Sequence, residues 1–263
     1  GRPVATSWRK GRALQCFTRP AEAFVKHARN IVLPGLFVLA SIALLMGGCS
    51  FPHAFSAADT VASLTSQPHR LDDTSQVLLA REETVFFVRR IKVYALEKHD
   101  SAWRQAFGPI EAVIGRNGFA PAGEKREGDG RSPSGIFPLK LVFGYGETPP
   151  TRMPYRQARE EDLWVDDPES PDYNRWVERG VTTAASFERL RRDDDLYKYG
   201  IVIGYNTDPV VKGHGSAIFL HVWRGRHSPT AGCVAVSEDD LLRILAWLDP
   251  AAHPMIVMGM DHF

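Results

Sequence analysis

Short apolar runs separated by turn-forming residues dominate the chain after residue 75 and predict a mostly β domain. Val, Ile, Phe and Tyr favour strands, whereas Gly, Pro and Asn favour the turns between them. Asn117-Gly118 is a dipeptide typical of hairpin turns. The predicted strands lie within residues 76–80, 84–97, 127–146, 200–206, 216–223 and 255–259. We therefore expect a sandwich or barrel with few helices, in which the first two strands are antiparallel neighbours.

One amphipathic helix is predicted near the end of the chain. Ser237 can cap it, Asp240 occupies the third helical position of a capping box, and Asp249-Pro250 helps to end it. Apolar residues recur at helical spacing along one face, at Leu241, Ile244, Leu245 and Leu248.

A polar segment with many prolines separates the predicted strands between residues 146 and 200. We expect an excursion over one face of the sheet that forms a lid or a substrate wall, with one helix within residues 185–200. Within it, Asp166 and Asp167 precede a proline and are interpreted as turn formers.

Hydropathy and charge change sharply before residue 59. Residues 1–30 are basic, with Glu22 as the only acidic residue, and residues 31–58 carry no charged side chain. A basic segment followed by an apolar one is typical of an export signal. The apolar run from residue 31 to 48 also reaches the lower limit for a membrane span. Three outcomes stay open: lipidation of Cys49, cleavage after Ala58, or an uncleaved anchor.

These patterns divide the chain into three parts. Residues 1–58 are predicted to be a signal, lipoprotein or membrane-anchor segment, 59–75 a linker, and 76–263 the folded domain. The expected location is the periplasm or cell envelope, with the membrane contacted through the N-terminal segment. The chain has a net charge of +1, and its basic residues are concentrated at the N-terminus. The folded part is thus net acidic, and nothing favours nucleic acid as a partner.

Cys233 is the only cysteine of the predicted folded domain, because Cys16 and Cys49 precede it. In an oxidising compartment an unpaired thiol is open to oxidation unless it is buried or has a chemical role. His221 ends a predicted strand twelve residues earlier, within the stretch IFLHVWRGRHSPTAGCVAVS. A neighbouring imidazole can lower the pKa of a thiol and make it a nucleophile. Gly232 permits a tight turn, which leaves its amide and that of Cys233 free to stabilise an oxyanion.

The segments SAIFLH and TAGC resemble the active site of L,D-transpeptidases with a YkuD-type domain. Residues 128–139 and 163–177 are similar to further parts of that domain, and the resemblance covers roughly residues 84–260. It implies a β-rich enzyme without metal or cofactor, in which Cys233 is the nucleophile and His221 the general base. The implied substrate is a peptidoglycan stem tetrapeptide, attacked at its third, diamino-acid residue with release of the terminal D-alanine. A second stem peptide or a lipoprotein lysine is the implied acceptor, whereas attack by water makes the enzyme a carboxypeptidase or amidase.

The sequence departs from the family pattern next to the nucleophile. The usual Ser-His-Gly-Cys is replaced by Thr230-Ala231-Gly232-Cys233, and Ala235 stands where a polar residue is common. His227 is the candidate to replace the missing second histidine. The candidate substrate-binding residues are Arg224, Arg226, His227, Thr230 and Ser216, and His214 with Ser216 can also orient His221.

Two other classes of protein remain as alternatives. His214, His221, His227 and Cys233 offer enough nitrogen and sulfur atoms for a zinc site in a protein that is not an enzyme, although their spacing matches no compact zinc motif. Sortases and papain-like peptidases also pair cysteine with histidine. A sortase signature is absent from the sequence, and papain-like enzymes place the cysteine before the histidine.

Overall fold

The computed structural model describes residues 56–65, 71–85 and 87–260. The proposed export segment up to residue 55, including Cys49, lies outside the described residues. The elements in chain order are α1 (Ala57–Thr65), β1 (Gln76–Val85), β2 (Val88–His99), β3 (Ala102–Val113), β4 (Gly135–Gly144), β5 (Tyr155–Gln157), β6 (Asp162–Val165), β7 (Trp176–Glu178), β8 (Phe187–Arg189), β9 (Tyr199–Ile203), β10 (Phe219–Val222), β11 (Val234–Val236), α2 (Glu238–Trp247) and β12 (Met255–Met258). Single 3₁₀ turns form at Asp195–Tyr197 and Pro250–Ala252.

A closed β-barrel forms the centre of the fold, which confirms the prediction of a mostly β fold. Its sheet has the order β12-β1-β2-β3-β11-β10-β9-β4-β5, and β4 also pairs with β12, which closes the ring. β10 and β11 run parallel, whereas β10 and β9 run antiparallel. The barrel therefore places β10 between β9 and β11.

The C-terminal helix forms as predicted. Ser237 Oγ accepts a hydrogen bond from the Asp240 amide at 3.1 Å. The helix α2 begins at Glu238, directly after this capping residue. All residues of the predicted apolar stripe are buried in the cluster that fills the barrel. In the described part of the chain, no helix is long and apolar enough to cross a membrane.

A helix also occupies part of the expected linker. Ser56 and Asp59 cap α1 reciprocally: Ser56 Oγ accepts from the Asp59 amide at 3.1 Å, and the Asp59 carboxylate accepts from the Ser56 amide at 3.2 Å. Val61 and Leu71 are buried with Trp103 on the outside of the barrel. The few apolar residues of this segment give too weak a periodicity to predict the helix.

The hairpin predicted at Asn117-Gly118 is wrong, although a turn forms there. The Gly118 amide donates to the Gly115 carbonyl at 2.8 Å, and Gly118 has a φ of 76°. The flanking residues are not paired with each other. Instead, Gly115 bridges to Thr230 and Phe119 to Ser132, so tertiary contacts override the local hairpin signal.

The excursion between residues 146 and 200 covers one outer face of the barrel, as expected. It contains the small sheet β7-β6-β8. The helix predicted within residues 185–200 is wrong: β8 and one 3₁₀ turn stand in its place. The Asp194 carboxylate accepts from the Leu196 amide at 3.2 Å and caps that single turn. Tyr197, which belongs to this turn, packs with Phe143 and Phe219 between the excursion and the barrel.

Candidate active site

Strand periodicity puts His221 and Cys233 on the same outer face of the barrel. Side chains alternate between the two faces of a strand. Leu220 and Val222 belong to the cluster inside the barrel, so His221 points outwards. Val234 is the register partner of Leu220 and also points inwards, which turns Cys233 outwards. Both side chains line one cavity of about 270 Å³ under the excursion.

The smallest residues of the neighbouring strands flank His221. Its register partners are Gly200 on β9 and Ala235 on β11. The space beside the imidazole is taken by Tyr197 from the excursion, at 5.1 Å between ring centroids in an edge-to-face arrangement. His221 is 7% exposed, so the ring is held between the barrel and the excursion.

Backbone groups hold the thiol of Cys233. Sγ donates to the Ala217 carbonyl at 3.2 Å and accepts from the Phe219 amide at 3.4 Å. In the region that the structure describes, these hydrogen bonds lead to backbone groups rather than to His221. Cys233 is 7% exposed, so the resting thiol is sheltered from solvent.

The hydrogen bonds of His221 determine which ring nitrogen carries the proton. Nδ1 lies 2.7 Å from the Val222 carbonyl, which can only accept, so Nδ1 is the donor. In the neutral ring, Nε2 is then unprotonated and available as a base. Burial lowers the pKa of His221 to about 4, although hydrogen bonds to the backbone of Val222 and Leu196 favour the protonated ring.

Burial also raises the pKa of the Cys233 thiol to about 12, while the Phe219 amide opposes this shift. The sequence-based expectation of a lowered thiol pKa is therefore wrong in direction. An imidazole that stays neutral supplies no positive charge to stabilise a thiolate. At neutral pH the free protein holds a neutral thiol and a neutral imidazole.

Alkylation of the free protein tests this protonation state. Because the thiolate is the reactive species, we expect the iodoacetamide reaction of Cys233 to accelerate about tenfold per pH unit between about pH 7 and pH 10. The rate is measured by mass spectrometry of the peptide containing Cys233. A plateau that begins below pH 7 would instead indicate a thiolate–imidazolium pair.

Asn174 fixes the carbonyl that accepts the thiol hydrogen bond. Its Oδ1 accepts from the Ala217 amide at 3.1 Å and from Trp164 Nε1 at 2.8 Å. Ala217 has a φ of 51°, a left-handed conformation that is rare for a residue with a Cβ. Sequence reasoning missed Asn174, since no local motif links it to residue 217.

The backbone around Gly232 is held by two hydroxyl groups. Thr230 Oγ1 donates to the Cys233 carbonyl at 2.7 Å and accepts from the Gly232 amide at 3.1 Å. Ser132 Oγ donates to the Gly232 carbonyl at 2.6 Å. The expectation that the Gly232 amide is free for an oxyanion is therefore wrong. A Cβ at this position would lie 3.0 Å from the Arg131 carbonyl, so glycine is needed for this close approach.

Two arginines line the rim of the cavity, and both face the Asp194 carboxylate. Arg192 Nε and Nη2 donate to the two carboxylate oxygens of Asp194 at 2.9 and 3.0 Å. Arg224 lies farther from that carboxylate, with Nη2 at 3.8 Å from Oδ2, and its side chain is 69% exposed. Arg192 was missed because its charged segment was interpreted as a helix.

Several predicted site residues lie elsewhere. Arg226 and His227 line a separate cavity, so His227 does not occupy the place of a second histidine beside Cys233. Ser216 Oγ donates to Glu127 Oε2 at 2.7 Å and does not line the cavity of Cys233. His214 contributes a carbonyl that accepts from the Tyr205 hydroxyl.

The described residues contain no group of three or more His, Cys, Asp or Glu side chains placed to hold a metal ion. The residues of the zinc-site alternative are therefore not brought together. Asp167 accepts a turn hydrogen bond from the Glu169 amide at 3.0 Å, as interpreted from the sequence, and it also accepts a long-range hydrogen bond from the Ala185 amide at 2.8 Å.

Comparison with known protein families adds an independent finding. The model of the L,D-transpeptidase catalytic domain (YkuD) matches residues 86–257. Comparisons with curated proteins and with solved structures gave no match. The matched range runs from β2 into β12 and contains the excursion, His221 and Cys233.

Proposed function

The chain belongs to the L,D-transpeptidase catalytic-domain family, whose members act on peptidoglycan peptides, and from this premise we propose that it transfers stem-peptide acyl groups through a thioester on Cys233. The observation that carries the proposal is the pair formed by the buried thiol and the neutral imidazole of His221. Both line one cavity, whose rim carries Arg192 and Arg224. The pair supplies a nucleophile and a base, the two groups that acyl transfer requires.

In the acylation step, Sγ attacks the carbonyl carbon of the third residue of a stem tetrapeptide. His221 Nε2 takes the thiol proton while the C–S bond forms, and the tetrahedral adduct collapses with cleavage of the C–N bond. The proton passes from His221 to the departing D-alanine amine. The backbone hydrogen bonds of Val222 and Leu196 favour the transient imidazolium.

The neutral resting pair makes proton transfer part of the attack. A donor peptide that enters the cavity competes with the Ala217 carbonyl for the thiol proton and aligns it with His221. Arg224 at the rim, which lies farther from Asp194 than Arg192 does, supplies a charged donor for the terminal carboxylate of the D-alanine. Thr230 acts on the backbone of the nucleophile and not on the substrate.

In the second step, the side-chain amine of another stem peptide attacks the thioester carbonyl. The C–N bond of the cross-link forms, the C–S bond breaks, and the amine proton returns to the thiolate through His221. A lipoprotein lysine is chemically equivalent as an acceptor. Attack by water gives hydrolysis in place of cross-linking.

We further propose that the chain acts in the periplasm or cell envelope, where these substrates occur. The basic and uncharged segments before residue 59 support export. Cleavage after Ala58 would cut the first turn of α1 and remove Ser56, its capping residue. Lipidation at Cys49 or an uncleaved anchor leaves this helix intact, and these two routes are favoured.

Incubation of the full chain with tetrapeptide muropeptides tests the proposed reaction. We expect loss of one D-alanine from the donor and formation of cross-linked dimers, both followed by mass spectrometry. Hydrolysed monomers without dimers would assign the chain to the carboxypeptidases. An unchanged substrate, with a protein that melts cooperatively, would contradict the proposal.

A further inference from the structure

A second cavity, rich in arginine, lies next to the one that holds Cys233. It has a volume of about 370 Å³ and is formed by the ends of β2 and β3 and by the segment before Thr230. Its charged lining consists of Arg89, Arg90, Arg116, Arg226 and Glu111, and His227 also lines it. Glu111 is the only acidic residue of that lining, so the cavity has a positive field.

The single carboxylate of this cavity is already engaged. Glu111 Oε1 lies 3.1 Å from Lys92 Nζ, and Oε2 lies 2.9 Å from Arg226 Nη2. Arg90 and Arg116 form no ion pair with a carboxylate anywhere in residues 56–65, 71–85 and 87–260. Their guanidinium groups are therefore available to an external anion, and guanidinium binds carboxylates through two parallel hydrogen bonds.

The two cavities adjoin each other at residues 229–230. Pro229 lines both of them, and Thr230 lines only the cavity of Cys233. Thr230 is bound to the end of β3 through its amide, which donates to the Ile114 carbonyl at 2.9 Å, and through its carbonyl, which accepts from the Arg116 amide at 3.0 Å. A ligand held in the arginine-rich cavity can therefore extend past Pro229 into the cavity of Cys233.

From this juxtaposition we propose that the arginine cavity binds a carboxylate of the acceptor stem peptide and thereby directs its side-chain amine to the Cys233 thioester. This inference rests on the proposed function. In a stem tripeptide, the diamino-acid residue carries both a free terminal carboxylate and the side-chain amine. These two groups are separated by a few bonds, which matches an anchor and a reaction centre in two adjoining cavities.

The test uses a stem tripeptide, which lacks the D-alanine leaving group and can serve only as an acceptor. The charge-removing variant is Arg90→Gln with Arg116→Gln, and the matched control is Arg104→Gln, an exposed position on β3 outside both cavities. Binding is measured by calorimetry with the full chain carrying Cys233→Ala. We expect the double variant to bind the tripeptide at least about tenfold more weakly than the control, which is the effect of losing one charge-assisted hydrogen bond.

The transfer arm uses the full chain with intact Cys233, a tetrapeptide donor and the tripeptide acceptor. In the double variant, D-alanine release in the first turnover should stay within about twofold, because acylation of Cys233 does not need the acceptor, while the mixed dimer falls at least about tenfold. Equal tripeptide binding and dimer yield in variant and control would overturn the inference, as would equal loss of release and dimer in a variant with an unchanged melting temperature.

Two controls separate this inference from the proposed function and from another anion. Absence of D-alanine release in the unmodified chain contradicts the proposed function, and the binding arm then decides whether the cavity takes the carboxylate. Inorganic phosphate is titrated in parallel. Phosphate binding that depends on Arg90 and Arg116, without tripeptide binding, would overturn the carboxylate assignment.

Discussion

Replacing Cys233 with alanine is expected to lower the rate of D-alanine release by at least about 10³-fold, because the covalent route through the thioester is lost. The rate is measured with purified tetrapeptide muropeptides under conditions in which the unmodified chain is saturated. Cys233→Ser is the matched variant, since its hydroxyl preserves a donor for the Ala217 carbonyl. We expect it to be nearly as inactive as the alanine variant, because a buried hydroxyl is harder to deprotonate than a thiol.

The melting temperatures of both variants control for folding. Cys233 packs with aromatic residues of the excursion, so alanine leaves a small cavity and a modest loss of stability. A Cys233→Ala protein that releases D-alanine at the unmodified rate would show that the nucleophile is another group.

Replacing His221 with glutamine is the prediction with the next largest effect. We expect release of D-alanine to fall by about 10²- to 10⁴-fold, the usual contribution of a general base. Glutamine retains a side-chain amide that can donate to the Val222 carbonyl, but it cannot accept the thiol proton. The loss should therefore appear in kcat and less in KM.

The pH profile gives this prediction a second readout. The unprotonated ring is the base, and the pKa of His221 is about 4 in the free protein. Activity of the unmodified chain should fall as the pH drops through that value and stay level from about pH 6 to pH 8. The residual activity of His221→Gln should lack this acidic limb. The same fall of activity at acidic pH in both proteins would show that a group other than His221 causes it.

The sequence predicts the pairing of His221 and Cys233 better than their protonation. Alternation along two short strands is sufficient to put both side chains on one face of the barrel. Their pKa values depend on burial beneath the excursion, in which Tyr197 packs against the imidazole. Tyr197 and His221 are far apart in sequence, so no local pattern indicates their contact. From the neighbouring histidine alone, the sequence therefore predicts a lowered pKa for the Cys233 thiol, whereas burial raises it.

Long-range hydrogen bonds account for the other differences between expectation and structure. Gly232 was expected to donate to substrate, but the nearby Thr230 hydroxyl engages its amide. Asn174, which belongs to the excursion, accepts a hydrogen bond from the Ala217 amide 43 residues later in the chain. By contrast, α2 was predicted from Ser237 onwards, because its cap and apolar stripe are both local in sequence.

The most direct test of the thioester is to isolate it. The full chain is mixed with tetrapeptide, quenched in acid within the first turnover and analysed by intact mass and peptide mapping. The account predicts an adduct equal to the tetrapeptide less D-alanine, on the peptide that contains Cys233, and its removal by hydroxylamine. Release of D-alanine during that first turnover with no adduct, or with an adduct on another residue, would contradict it.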